Sequence, residues 1–286
     1  MLTRREMLQT SLVISGSALF GSQLFAAEKA KPQAGVQLYS IRGICKKENL
    51  PERFKSLKDM GYAGVEFAGY YGFSADELKK LLDDSGLKVC GTHTGYGSIK
   101  PEGINQTIEF NQKIGNKYLV VPGGVNGDED AWKQHAEVFS KAAETAKQAG
   151  MYVGYHNHQH EFKDKDPKKF PSGKCAWDIF FSNAAPEVFM QMDIGHCVAA
   201  GEDPVFWLKK FPHRLRTIHA KEVYGGGYSG VLGEYPEGKP HVDWDAVFPV
   251  LESDGLEWYI VESEAHSDIL DDVKGCVDFL KKKGRA

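Results

Sequence analysis

The sequence predicts an α/β chain that closes into a (β/α)8 TIM barrel, and three observations carry the prediction. From about residue 36 onward, short apolar segments rich in β-branched residues alternate with segments of helical period, the rhythm of repeated βαβ units. Polar residues able to do chemistry gather at the carboxyl ends of those apolar segments, where such a barrel carries its site. No glycine-rich phosphate fingerprint follows the first strand, which weakens the alternative of a doubly wound open sheet. The 286 residues, 42% hydrophobic and 26% charged, suit one barrel of this kind.

The elements follow in order. Val36–Ser40 reads as the first strand. A helix over Pro51–Met60 places Phe54, Leu57 and Met60 at helical spacing and stops at Gly61. Gly64–Phe67 is the second strand. Ser74 and Glu77 form a capping box for a helix through Ser85, ended by Gly86. Lys88–His93 is the third strand, Ile104–Ile114 a helix stopped by Gly115, and Tyr118–Pro122 a fourth strand, almost wholly apolar as a strand buried on both faces should be. A long helix covers Glu129–Ala149. The fifth strand opens at Tyr152 and is expected to end near His158, leaving Glu161 on a mobile loop.

Residues 163–174 are charged and proline-bearing, a loop; a helix starts near Trp177. Met190–His196 is the sixth strand with its end, and Pro204–Phe211 a short helix with proline in its first turn. Arg216–Lys221 is the seventh strand. Tyr224–Pro240 is long and glycine-rich, the kind of loop that covers an active site. A helix over Asp245–Ser253 should kink at Pro249. Trp258–Glu262 is the eighth strand, and Ile269–Lys282 the closing helix.

Residues 1–27 stand apart. Arg4 and Arg5 precede an apolar run from Leu8 to Phe25, and Ala26–Ala27 supply small residues for cleavage. This reads as a signal peptide of the twin-arginine type, so the expectation is a periplasmic protein whose barrel occupies residues 28–286. No later segment is apolar enough to span a bilayer, so no membrane contact is expected after signal removal. The formal net charge of -4 and the lack of a basic patch interleaved with aromatics argue against a nucleic-acid partner. Cys45, Cys90, Cys175, Cys197 and Cys276 fit no zinc spacing and are assigned no chemistry; one disulfide is compatible with an oxidising compartment. A homo-oligomer is compatible with the sequence.

The chemistry centres on Tyr155-His156-Asn157-His158-Gln159-His160-Glu161, dense in metal-capable groups. With Glu66, His93, Asp193, His196, His219, Lys221 and Glu262 it converges on the barrel mouth. Glu161, Asp193, His219 and Glu262 offer three carboxyls and one imidazole from four consecutive strands, a set suited to one divalent ion of Mn, Mg, Co or Zn. Glu262 ends an apolar strand, where an unpartnered carboxylate is costly.

These segments resemble the xylose isomerase-like barrels, specifically the sugar phosphate isomerase/epimerase group, from about Gly35 to the end. The carriers are Val36-Gln37-Leu38-Tyr39-Ser40-Ile41-Arg42, Gly64-Val65-Glu66-Phe67, Tyr155-His156-Asn157-His158 with Glu161-Phe162, Met192-Asp193-Ile194-Gly195-His196, Ile218-His219-Ala220-Lys221 and Val261-Glu262. The resemblance implies a metal quartet of Glu, Asp, His and Glu from strands five to eight. Asp193, His219 and Glu262 match it, while His156 stands where many relatives carry the first Glu. Glu161 is the preferred fourth ligand and His156 the alternative.

The resemblance also implies proton transfer next to a carbonyl on a small sugar. Glu161 and Glu262 would be the catalytic acid/base pair, and Glu66, His93, His158, His196 and Lys221 would bind substrate. Export argues for a non-phosphorylated sugar or keto-sugar. Elimination on a 3-keto-glycoside shares the same ene-diolate chemistry. A metal-dependent phosphodiesterase of the endonuclease kind and a non-catalytic sugar-binding barrel are the readings from other classes.

Overall fold

Of the 286 residues, the computed structural model describes 31–224, 227–228 and 230–286. The expected signal peptide lies outside the described residues. Lys31–Ala286 forms one compact unit.

In chain order the elements are β1 (Gln33–Gln37), α1 (Leu50–Met60), β2 (Gly64–Phe67), α2 (Ala75–Ser85), β3 (Lys88–His93), α3 (Ile104–Lys113), β4 (Tyr118–Val121), α4 (Glu129–Gln148) and β5 (Tyr152–His156). There follow α5 (His160–Lys163), α6 (Ala176–Asn183), β6 (Phe189–Asp193), α7 (Ile194–Ala199), α8 (Pro204–Lys210) and β7 (Leu215–Ala220). A short ribbon pairs β8 (Val223–Tyr224) with β9 (Gly227–Tyr228), and α9 (Trp244–Asp254), β10 (Trp258–Val261) and α10 (Asp271–Lys282) complete the chain. Strands β1 to β7 and β10 close into one parallel barrel, β10 pairing with both β7 and β1. This is the (β/α)8 barrel the alternation predicts.

Two apolar layers hold it. The larger core packs outward-facing strand residues such as Val65, Leu119 and Tyr155 with buried helix residues such as Phe54, Phe139 and Trp177. Inside the barrel, Cys90, Tyr118, Val120, Phe189, Trp258 and Ile260 form a second, smaller cluster. Because side chains alternate along a strand, the inward residues further along β6 and β7 are Gln191, Asp193 and His219. The polar layer therefore sits directly above an apolar plug.

Several boundaries differ from expectation for local reasons. β1 ends at Gln37, because the Gln37 side chain accepts from the Tyr39 N–H at 3.1 Å and turns the chain into a single 3₁₀ turn, Leu38–Ile41. β5 stops at His156, and Glu161 lies in the one-turn helix α5 rather than on a loop. β6 stops at Asp193, which caps α7 by accepting from the His196 N–H at 2.7 Å. α9 runs through Pro249 as one helix. The capping box of Ser74 and Glu77 forms as read. All five cysteines are buried and free, so no disulfide forms among them.

Candidate metal and carbonyl site

The site grows out of Glu66. This carboxylate is buried at the end of β2, facing Gly91 of β3; a Cβ at Gly91 would collide with Glu66 Oε1. The missing side chain makes the carboxylate's place. Glu66 Oε2 accepts from Gln37 Nε2 at 2.8 Å and from His219 Nε2 at 2.6 Å, while Oε1 accepts from Gln191 Nε2 at 2.8 Å. Burial would raise its pKa, but His93 and His219 outweigh burial and hold it below the usual range.

Gln191 then sets two imidazoles. Its amide nitrogen donates to Glu66 and to Thr217 Oγ1, at 2.9 Å, so its oxygen is the atom that faces His93 Nε2 and His156 Nδ1, each at 3.1 Å. With Nδ1–H committed to Gln191, His156 keeps a bare lone pair on Nε2. Burial first, then the neighbouring His219, His93, His158 and Lys221, push the His156 pKa well down. It is a neutral imidazole, the form that binds metal.

His219 bridges the two sides. Its Nδ1 lies 2.5 Å from Glu262 Oε2 and 3.8 Å from Asp193 Oδ2. Burial alone would lower its pKa; Glu66 and Glu262 reverse this and raise it to about 10. Glu262 is held well below the usual carboxylate range, burial being outweighed by Lys221 and His219. Asp193 is fastened by the backbone, with Asn157 Nδ2 donating to its carbonyl at 3.1 Å and its own N–H donating to Asn157 Oδ1 at 2.9 Å. Its buried Oδ2 has Lys221 Nζ at 3.1 Å but no aligned hydrogen bond.

Lys221 and its neighbours form the outer flank. Lys221 Nζ is 2.7 Å from Glu264 Oε1, 3.1 Å from His196 Nε2 and 3.6 Å from Glu262 Oε2. The close approach requires Gly195, whose Cβ would meet the Lys221 carbonyl at 2.8 Å. Burial lowers the Lys221 pKa and the surrounding carboxyls more than restore it, so the ammonium stays charged. Glu264 is held down at about 2, chiefly by its hydrogen bond with His196. The rings of His158 and His196 lie 4.8 Å apart. Burial pushes the half-buried His158 down to about 4, so it is a neutral base at ordinary pH.

His156, Asp193, His219 and Glu262 each offer a ligand atom, and these atoms lie within 4.8 Å of one another. Glu161 is elsewhere. It accepts from Tyr155 Oη at 2.7 Å and from the His158 N–H at 2.8 Å. Tyr155 points outward, among Trp132, Phe139, Trp177 and Phe180. The reason is alternation: Tyr155 and His156 face opposite sides of β5, and Glu161 follows the tyrosine. Burial raises its pKa. The geometry therefore puts the alternative residue, His156, in the group that Glu161 was expected to complete. The other expected residues, Glu66, His93, His158, His196 and Lys221, all line this cluster or its rim.

Sequence reading missed Gln37, Gln191, Thr217 and Glu264. Period two was the available signal: Gln191 is two before Asp193, Thr217 two before His219, and Glu264 two after Glu262.

The fold and this cluster define a barrel enzyme with a polar, metal-capable mouth. The profile of the xylose isomerase-like TIM barrel family matches residues 54–283, and the chain belongs to that family. An inosose dehydratase of Clostridium botulinum is 23% identical over 277 residues, covering 83% of this chain and 91% of that one. The inosose dehydratase of Clostridium beijerinckii is 24% identical over 259 residues, covering 76% and 83%. A crystal structure of a sugar phosphate isomerase/epimerase from Parabacteroides distasonis superposes with a TM-score of 0.73 at 26% identity, over 88% of this chain and 98% of that one. These relatives are enzymes, and so is this chain.

Proposed function

We propose that the protein is a divalent-metal-dependent isomerase or epimerase that moves a proton at the carbon next to a carbonyl of a non-phosphorylated sugar or keto-sugar. The observation that carries the reading is the grouping of His156, Asp193, His219 and Glu262. The donors fit an ion: His156 is neutral, Asp193 Oδ2 is buried without an aligned donor, and the outer nitrogen of His219 is tied to Glu66. Bound there, the ion would supply Lewis-acid stabilisation of negative charge developing on a substrate oxygen.

The chain's own groups do the rest. Lys221, charged beside Glu262, supports anionic charge on a neighbouring oxygen. Glu262, held ionised, accepts a proton. His158, neutral at the far end of the row His158, His196, Lys221, can take a proton from a substrate hydroxyl and then give that proton back. The flank's cation is already matched by Asp193, Glu262 and Glu264, which favours an uncharged ligand over a phosphate.

Elimination of a β-hydroxyl or glycosidic group is the second reading. It is favoured by the position of Glu161: without it, the proton-transfer groups Glu262, Lys221, His196 and His158 form one contiguous row, suited to taking a proton and handing it to a leaving oxygen. The dehydratase relatives agree. The deciding test is incubation of keto-sugars and keto-glycosides in D₂O with NMR detection. Deuterium next to the carbonyl, abolished by chelation and restored by added Mn²⁺, Co²⁺, Mg²⁺ or Zn²⁺, is expected. Turnover that survives complete chelation sinks the metal-dependent reading, and an enone or freed aglycone selects elimination.

We also propose export by the twin-arginine route, on Arg4-Arg5 and the apolar run after them. Replacing both arginines with lysine should keep the protein in the cytoplasm; unchanged export removes the proposal.

A further inference from the structure

Beside the metal-capable cluster lies a cavity of about 270 Å³, between the loop after β2 and the loop and helix after β3. His93 is the wall between them. Its ring stacks on that of His219 at 5.2 Å and 13°, and its Nε2 holds Gln191 at 3.1 Å, while its other side lines the cavity. A molecule seated at the metal-capable cluster therefore has an adjoining space one side chain away.

The lining has a definite chemical character. Tyr70 and Phe110 lie with ring centroids 4.1 Å apart and give an aromatic surface. Thr94, Ser98 and Gln106 give hydroxyl and amide groups. Among the described residues, the side chains of Ser98 and Gln106 make no hydrogen bond within the protein, so their capacity is available to a ligand. No lysine, arginine, aspartate or glutamate lines the space. Aromatic faces meet the C–H face of a sugar ring, and neutral polar groups meet its hydroxyls. The volume lies just below the range of about 300–1,000 Å³ typical for drug-sized ligands, which suits one ring.

We propose that this cavity is a subsite for a second, uncharged sugar ring, so that the substrate is a glycoside or disaccharide whose reacting ring sits at the metal-capable cluster. The proposal rests on the sugar reading given above and narrows it to a substrate class. A phosphate or carboxylate in the same place would meet no cation and is selected against.

Equilibrium binding separates the two ideas, because it does not require turnover. Calorimetry with D-glucose, maltose, cellobiose and trehalose on the full-length mature protein is expected to show at least one disaccharide binding about tenfold or more tightly than D-glucose. Ser98→Trp, which fills the cavity, should abolish that gain and leave D-glucose binding unchanged. Should Ser98→Trp fail to fold by circular dichroism, Gln106→Ala, at an exposed position of α3, should reduce the gain at least threefold. No disaccharide advantage in the wild type, or an advantage that survives the folded variant, overturns the subsite. Equal loss for mono- and disaccharide also overturns it, since the cavity would then belong to the reacting ring. A disaccharide gain without proton exchange on any sugar supports the subsite and sinks the proton-transfer reading instead.

Discussion

Glu66 Oε2 accepts a hydrogen bond from His219 Nε2 at 2.6 Å, across the barrel interior from β2 to β7. This one contact decides which face of the imidazole is turned to Asp193 and Glu262. A carboxylate behind a ligating histidine fixes its tautomer and raises its basicity.

Glu66→Gln should therefore lower divalent-metal affinity by roughly 10–100-fold while leaving the chain folded. Competition against a fluorescent chelator measures it. Unchanged affinity would mean that Glu66 only fills space.

Metal binding should release protons. His219, at about 10, carries a proton at neutral pH, whereas His156 is neutral and Glu262 is ionised. An ion taking His219 Nδ1 displaces that proton, so about one proton leaves per ion, and affinity rises with pH until the imidazolium itself titrates. The sign also holds for the metal-free protein. A histidine raised from 6.5 to about 10 contributes stability that is full below pH 6.5 and fades as pH climbs through 10. Calorimetry in buffers of different ionisation enthalpy counts the protons; zero release would contradict the charged His219.

His156→Ala should lose most bound metal, and Glu161→Gln should retain it. The distances place the first in the metal-capable group and the second on Tyr155 and the His158 N–H. Elemental analysis of the two purified variants is sufficient. The reverse pattern would require α5 to rearrange and bring Glu161 inward.

Glu222 pins the segment that follows β7 to the start of α9. Its carboxylate accepts from the N–H groups of Val223, Gly233 and Val242 and from Trp244 Nε1. Glu222→Ala strands four donors, three of them buried, and each unsatisfied buried group costs ~1–3 kcal/mol. A loss of at least about 3 kcal/mol is expected in chemical denaturation; a loss under about 1 kcal/mol would show that water replaces the carboxylate.

The sequence by itself determined the barrel and most of its mouth. Alternating apolar strands and amphipathic helices leave few ways to bury both, and chemistry at strand ends is legible because a polar residue closing an apolar run must have a purpose. So Asp193, His219, Lys221 and Glu262 could be singled out one strand at a time. Only the tertiary structure decided their partners. Whether His156 or Glu161 joins the group depends on where β5 ends and which way α5 turns, and those follow from Tyr155 packing among aromatics of α4 and α6 distant in sequence. Gln191 takes its role only because Glu66, His93 and His156, from three other strands, close around its amide. Period two says which face a residue takes. It does not say what stands opposite, because strand neighbours across a closed barrel are set by register and by the room that residues such as Gly91 leave.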